Sequence, residues 1–164
     1  MIKLIVLDVD GCMTNGFITF DENGIESKSF NVKDGLGITT WLKIGGEAAI
    51  ITGRNSKIVE RRAKELGIVH LFQGIKNKKE VLQNLVDMIG ISLEEVAVIG
   101  DDLNDIGMFR IAGKSFAPAN AAAVACEHAD IVLQKRGGEG AVREMIDIIV
   151  EENGTKRDFQ SVWL

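Results

Sequence analysis

Two carboxylates one residue apart close the first apolar run of the chain, Lys3-Leu-Ile-Val-Leu-Asp8-Val-Asp10-Gly-Cys-Met-Thr14. A β-type run that ends in Asp-x-Asp-Gly sets both acids at the carboxyl end of a strand, the edge along which open α/β sheets build their sites. There one carboxylate can attack phosphorus while its neighbour handles the leaving-group proton and a divalent cation offsets their repulsion. Asp10-Gly11 is equally an ordinary turn pair, so the rest of the chain must decide.

Three later apolar runs deliver polar groups to the same edge. Ala49-Ile-Ile51 leads into Thr52-Gly53-Arg54-Asn55, where a hydroxyl, backbone N–H groups and a helix start can hold phosphate oxygens. Leu71-Phe72 leads into Gln73-Gly74-Ile-Lys76-Asn-Lys78-Lys79 and brings a cation to the next helix start, although lysines at helix ends are mostly solvated. Val96-Ala-Val-Ile99 leads into Gly100-Asp101-Asp102-Leu-Asn-Asp105, three acids within five residues. A helix cap accounts for one of them. Asp8, Asp10, Asp101 and Asp105 together would crowd one crevice and repel unless a hard cation with oxygen ligands joined them, and Mg²⁺ is the expected ion.

The elements that must position these groups alternate. Strand-like runs at Leu4 to Leu7, Ala48 to Ile51, Val69 to Phe72, Val96 to Ile99, Ser115 to Ala117 and Ile131 to Leu133 are mostly parted by helix-length segments. Ser56 to Leu66 and Lys78 to Ile89 carry apolar residues at spacings of three and four, with Gly67 and Gly90 as stop signals. This βα repetition predicts a mainly parallel sheet, with helices on both faces and right-handed crossovers. Between Gly16 and Val32, two β-prone runs flank Asp21-Glu-Asn-Gly24, which predicts a hairpin flap over about residues 16–32. Its residues Phe17, Ile18, Phe20, Ile25 and Phe30 must pack either on their own domain or on another subunit. The polar segment after Val150 reads as a frayed end, whereas the Trp-bearing tail that closes the chain, over about 154–164, is expected to dock.

The composition bounds the rest. With 164 residues, the chain is expected to form a single domain over 1–164 with a proper core. It is 46% hydrophobic, its mean hydropathy is +0.11, and its apolar stretches are strand-length, so no membrane partner is expected. No export leader is apparent, so the expected compartment is the cytoplasm. A net charge of -5 without a basic, aromatic-studded stripe argues against nucleic acid. Cys12 and Cys126 lie far apart without metal-type spacing and are read as reduced thiols.

Taken in order, Asp8-x-Asp10, Thr52, Lys78 and Gly100-Asp-Asp-x-x-Asp105 resemble the four motifs of the haloacid dehalogenase superfamily of phosphohydrolases. A response-regulator receiver domain also gathers acids, a Thr and a Lys at a sheet edge, but its phosphorylated Asp would end the third strand. The resemblance implies a Rossmann-like three-layer α/β sandwich and a Mg²⁺-dependent phosphomonoesterase. It implies Asp8 as the nucleophile that forms an aspartyl-phosphate, and Asp10 as the acid and base. Asp8, the backbone carbonyl of Asp10 and Asp101 would be metal ligands, with Asp105 orienting the metal shell. Thr52 and Lys78 would grip the phosphoryl group. Lys78 is preferred to Lys76 and Lys79 on the family spacing after Gln73-Gly74. Gly53, Arg54 and Asn55 would face the substrate.

Most of that superfamily carries an inserted cap domain, and this chain has room only for the hairpin. It most closely resembles the 3-deoxy-D-manno-octulosonate 8-phosphate phosphatase group, which is tetrameric. The marks are Asp8-Val-Asp-Gly with the hairpin, Phe30-Asn-Val-Lys-Asp-Gly-Leu-Gly37, Ile51-Thr-Gly-Arg-Asn-Ser56, Phe72-Gln-Gly74 and Gly137-Gly-Glu-Gly-Ala-Val-Arg-Glu144. The resemblance implies a phosphorylated sugar acid as substrate, and a homotetramer in which the flap of one subunit lies near the site of the next. Arg54 suits a substrate carboxylate, or else pairs with a nearby acid. A sister group acting on nine-carbon 9-phosphates carries Glu at the Arg54 position, while the eight-carbon group often carries Arg where Glu139 stands. Cys12, Met13 and Asn15 depart from the usual Val-Leu-Thr-Asp continuation. The alternatives are 2-keto-3-deoxynonulosonate or N-acylneuraminate 9-phosphate hydrolysis, or a non-catalytic domain partnering a cytidylyltransferase. A phosphomutase would need a cap.

Overall fold

The computed structural model describes residues Met1 to Leu164. Six strands form one parallel sheet: β1 (Leu4–Leu7), β4 (Glu47–Ile51), β5 (His70–Phe72), β6 (Val96–Ile99), β7 (Lys114–Ala117) and β8 (Ile131–Val132), in spatial order β5-β4-β1-β6-β7-β8. The chain runs from β1 outward to β4 and β5, then returns across the sheet to β6. That reversal makes the carboxyl ends of β4, β1 and β6 the switch point where such sheets open a crevice.

The unbroken apolar strands follow from burial on both faces. In β1, Ile5 and Leu7 point into one core with Ile38, Trp41, Val142 and Ile146. These last belong to helices α1 (Val32–Lys43) and α6 (Ala141–Glu152). Leu4 and Val6 point into the opposite core with Leu82, Leu85, Met108 and Phe109, carried by α3 (Lys78–Ile89) and α4 (Ile106–Phe109). Helix α2 (Lys57–Leu66) joins the first core through Val59 and Ala63, and α5 (Ala123–His128) joins the second through Ala125. At about 25 cal/mol per Å² of apolar surface removed from water, these two layers are what hold the sheet edge in place.

The flap is a hairpin of two short strands, β2 (Thr19–Phe20) and β3 (Glu26–Ser27). Asn and Gly both tolerate positive φ, but the two residues are not used alike in this turn. Only Gly24 adopts it, at 76°. The Asp21 carboxylate closes the turn instead, with Oδ1 accepting from the N–H groups of Asn23 and Ile25 at 2.9 Å each. Phe17, Phe20 and Ile25 stand exposed, at 74%, 56% and 65%. They therefore find no cover within their own chain.

The segment after Val150 is not frayed. Helix α6 continues to Glu152, and α7 (Lys156–Ser161) follows, pinned by buried Phe159. The tail docks on α1, where Trp163 Nε1 donates to Thr40 Oγ1 at 2.8 Å and Lys43 lies over the indole ring.

Candidate active site

Leu7, the last residue of β1, is in register with Ile50 of β4 and Ile99 of β6. Asp8 therefore emerges between two strands, and its N–H still reaches the Ile99 carbonyl at 3.2 Å. A wide turn over Val9–Met13 follows, with Gly11 at φ 94°. A Cβ at Gly11 would fall 1.9 Å from Asp101 Oδ2, so only glycine lets the turn close over that carboxylate.

Lys78, the first residue of α3, turns its ammonium inward beneath this turn. Nζ donates to Asp8 Oδ1 at 2.8 Å and to Asp105 Oδ1 at 2.7 Å, and all three side chains are buried. Asp105 Oδ2 accepts from the N–H groups of Asp101 at 2.8 Å and Asp102 at 3.2 Å, which fixes the loop after β6. Asp8, Asp10, Thr52, Gly53, Arg54, Asp101, Asp102 and Asn104 line the polar crevice above, about 200 Å³ in volume. A larger hollow of about 550 Å³ lies between α6 and α7, away from these acids.

The electrostatics leave the crevice short of positive charge. Burial pulls Lys78 down, but Asp8 and Asp105 outweigh it and push it up to about 12, so the ammonium stays charged. Burial, with Asp105 and Asp101 adding repulsion against the pull of Lys78, raises Asp8 to about 8. Burial and Asp105 raise Asp101 to about 6. One ammonium thus serves three carboxylates. Asp8 and Asp101 offer oxygens within 4.8 Å of each other, close enough for the two carboxyl groups to hydrogen-bond, and Lys78 reaches Asp8 through Oδ1 alone. Hard oxygen donors carrying uncompensated charge fit Mg²⁺. The Cys12 thiol lies in the same group. Burial, then Asp8, Asp101 and Asp105, push it well above the ordinary thiol range, so the free thiol is neutral.

The structure gathers Asp8, Asp10, Thr52, Gly53, Arg54 and Asp101 at the crevice, with Lys78 and Asp105 beneath it. Lys76 and Lys79 are exposed and make no such contact. Asn55 does not join the lining; its amide lies against Gly74 instead. Arg54 lines the crevice and also pairs with an acid, its Nη2 donating to Glu26 Oε1 at 3.2 Å.

Sequence reasoning missed two flap residues. Lys28 Nζ lies 2.5 Å from Asp10 Oδ1 and 3.1 Å from Glu26 Oε1, with its side chain 1% exposed. The available signal was the pair Glu26 and Lys28, two residues apart and so on one face of a strand. Asn104 was missed as well, although it stands inside the acidic motif.

Comparison with known proteins agrees with this geometry. Residues 67–146 match the model of the haloacid dehalogenase-like hydrolase family. The chain is 45% identical over 153 residues to the 3-deoxy-D-manno-octulosonate 8-phosphate phosphatase of Salmonella typhi, covering 93% of this chain and 81% of that protein. It superposes on the crystal structure of the 3-deoxy-D-manno-octulosonate 8-phosphate phosphatase of Moraxella catarrhalis in complex with magnesium ion, phosphate ion and KDO, with TM-score 0.95 and 40% identity over 99% of this chain and 94% of that one. The corresponding phosphatase of Yersinia pestis gives TM-score 0.93 and 40% identity over 95% and 84% of the two chains. With the four motifs converging on one crevice and relatives matched along nearly its whole length, the chain belongs to the 3-deoxy-D-manno-octulosonate 8-phosphate phosphatase family of haloacid dehalogenase-like hydrolases.

Proposed function

We propose that the chain hydrolyses 3-deoxy-D-manno-octulosonate 8-phosphate to the free sugar acid and phosphate, using Mg²⁺ and an aspartyl-phosphate intermediate. The observation that carries this reading is the buried Asp8–Lys78–Asp105 chain beside Asp101, at the sheet's switch point. In the first step an Asp8 carboxylate oxygen bonds to phosphorus as the ester P–O bond breaks, and Asp10 gives its proton to the departing sugar oxygen. In the second, Asp10 takes a proton from water as the water oxygen displaces Asp8, releasing phosphate. Thr52 and Lys78 position the phosphoryl oxygens and share their charge. Asp8, the Asp10 backbone carbonyl and Asp101 would hold Mg²⁺, with Asp105 orienting the Asp101 loop. When bound, the ion supplies the positive charge that the three carboxylates lack and draws nucleophile and phosphoryl group together.

Arg54 would bind the sugar carboxylate, exchanging Glu26 for an anion whose two oxygens its planar fork can hold. We assign the whole of residues 1–164 to one domain that works as a cytoplasmic homotetramer, the exposed Phe17, Phe20 and Ile25 of one flap packing near the crevice of the next subunit. A phosphate-release screen over eight-carbon and nine-carbon keto-sugar phosphates, with and without Mg²⁺, tests the assignment. The expected result is Mg²⁺-dependent release with the eight-carbon 8-phosphate preferred. Preferred turnover of a nine-carbon 9-phosphate overturns the substrate, and no release from any of them overturns the activity.

A further inference from the structure

Asp8, Cys12 and Asp101 each present one donor atom, and the three atoms lie within 4.8 Å of one another. Cys12 is 0% exposed and its Sγ has no hydrogen-bond partner, while Lys78 reaches Asp8, 5% exposed, through Oδ1 alone. The thiol is thus a buried, unpartnered group that packs at the margin of the apolar core beneath the crevice, with its sulfur within reach of the carboxylate pair. Magnesium has no use for sulfur, since hard cations take oxygen ligands. A borderline divalent ion such as Co²⁺ or Zn²⁺ binds thiolate and carboxylate together, with bonds of about 2.3 Å to sulfur and 2.1 Å to oxygen. Donors sharing such an ion lie at most about 4.4 Å apart, so the observed grouping needs only small side-chain rotations to close on one.

We propose that Cys12 makes this crevice a mixed sulfur–oxygen site for thiophilic divalent cations, with Cys12 Sγ, Asp8 and Asp101 as the protein ligands. The inference rests on Asp8 and Asp101 being the metal-binding carboxylates of the proposed phosphatase. On binding, the metal–sulfur bond forms, the Cys12 S–H bond breaks and its proton passes to the buffer, with no change of oxidation state. Because Asp8 is both ligand and nucleophile, an ion anchored by the thiolate holds the attacking oxygen in place. Zn²⁺ therefore acts as a tight inhibitor that competes with Mg²⁺.

The test is absorption spectroscopy of the full chain titrated with Co²⁺, with thermal denaturation run in parallel. The expected result is one equivalent of Co²⁺ giving a near-ultraviolet thiolate-to-cobalt charge-transfer band, removed by Zn²⁺ and by a large excess of Mg²⁺. Cys12→Val should lose the band and bind Zn²⁺ at least about tenfold more weakly, as loss of a soft ligand implies. Cys126→Ser should keep the band. Cobalt d–d bands without the charge-transfer band overturn the proposal, as does a band that survives in Cys12→Val. If Mg²⁺ raises the melting temperature while Co²⁺ gives no thiolate band, this inference alone falls; if neither ion raises it, the metal-dependent reading of the crevice falls too.

Discussion

Nζ of Lys28 lies 2.5 Å from Oδ1 of Asp10, so the hairpin that follows β1 folds back and ties itself to the acid three residues beyond Leu7. The contact holds one Asp10 oxygen, so the proposed acid role falls to the other. Lys28→Met should therefore cut kcat about tenfold or more for alkyl phosphates, whose departing oxygen needs a proton. An aryl phosphate with a good leaving group should slow by less than about threefold, since it needs little acid assistance. Equal losses on both substrates, in steady-state assays, would refute the positioning role.

Asp8→Asn should retain the fold and lose at least about four orders of magnitude in kcat, because a neutral amide does not attack phosphorus. Exhaustive chelation of the wild type should also abolish turnover, and added Mg²⁺ should restore it. Rapid-quench detection of phosphate bound to the chain checks both arms, and wild-type turnover in Asp8→Asn removes Asp8 from its role.

Lys78→Met leaves Asp8 and Asp105 buried without their shared cation. Breaking a buried pair this way costs about 3–5 kcal/mol, or roughly 6–20 °C in melting temperature for a chain of this length. Calorimetry should show that drop together with loss of turnover. A variant as stable as the wild type would mean that the two carboxylates find other partners.

Asp34, in the first turn of α1, accepts the Arg143 N–H on Oδ1 at 2.9 Å, while its Oδ2 is buried without a partner. Burial, only partly offset by Arg143 and Arg62, raises it to about 6. A carboxyl with a raised folded-state value binds its proton more tightly when folded, so its contribution to stability falls as pH rises from about 4 to about 6 and is constant above. The span is at most about 3 kcal/mol. Asp34→Asn keeps the acceptor and loses the titration. Denaturant unfolding at pH 4.5 and 7 should therefore show the variant gaining on the wild type as pH rises; a pH-independent difference counts against a buried, titrating Asp34.

Phe17→Ser combined with Phe20→Ser removes apolar surface that one chain leaves uncovered. Sedimentation should show a smaller species whose melting temperature, extrapolated to low concentration, is close to that of dilute wild type, because exposed residues contribute little to the monomer. It should also discriminate poorly between eight-carbon and nine-carbon substrates. A monomer with undiminished selectivity would refute the intersubunit lid.

The floor of the candidate site was legible because it is local. Each apolar run ends in its functional group, so finding the strand finds Asp8, Thr52 or Asp101, and the parallel sheet brings those ends together. Helix α1 was not read from periodicity, since Gly35 and Gly37 lower its propensity. Gly37 is there because a Cβ would lie 2.9 Å from Arg143 Cδ of α6, a packing reason no single-sequence pattern displays. The α7 helix was missed for the opposite reason: its polar residues hide the one anchor, Phe159, that sets it. Lys28, Glu26 and Cys12 escaped because their partners are far away in sequence or chemically unlike them. Asn55 lies outside the crevice lining because the chain turns it toward Gly74, one residue beyond the useful loop.

The strand that carries Asp8 is hydrogen-bonded on both edges and covered on both faces, whereas the hairpin opposite it is held by pairs of two residues only. Amide exchange should therefore be slowest over Leu4 to Leu7 and fast over Thr19 to Ser27, placing the immobile and the yielding walls of one crevice within twenty-four residues. Adaptation to differently shaped sugars is then confined to the yielding wall, and the chemistry at the opposite wall is left unchanged by it.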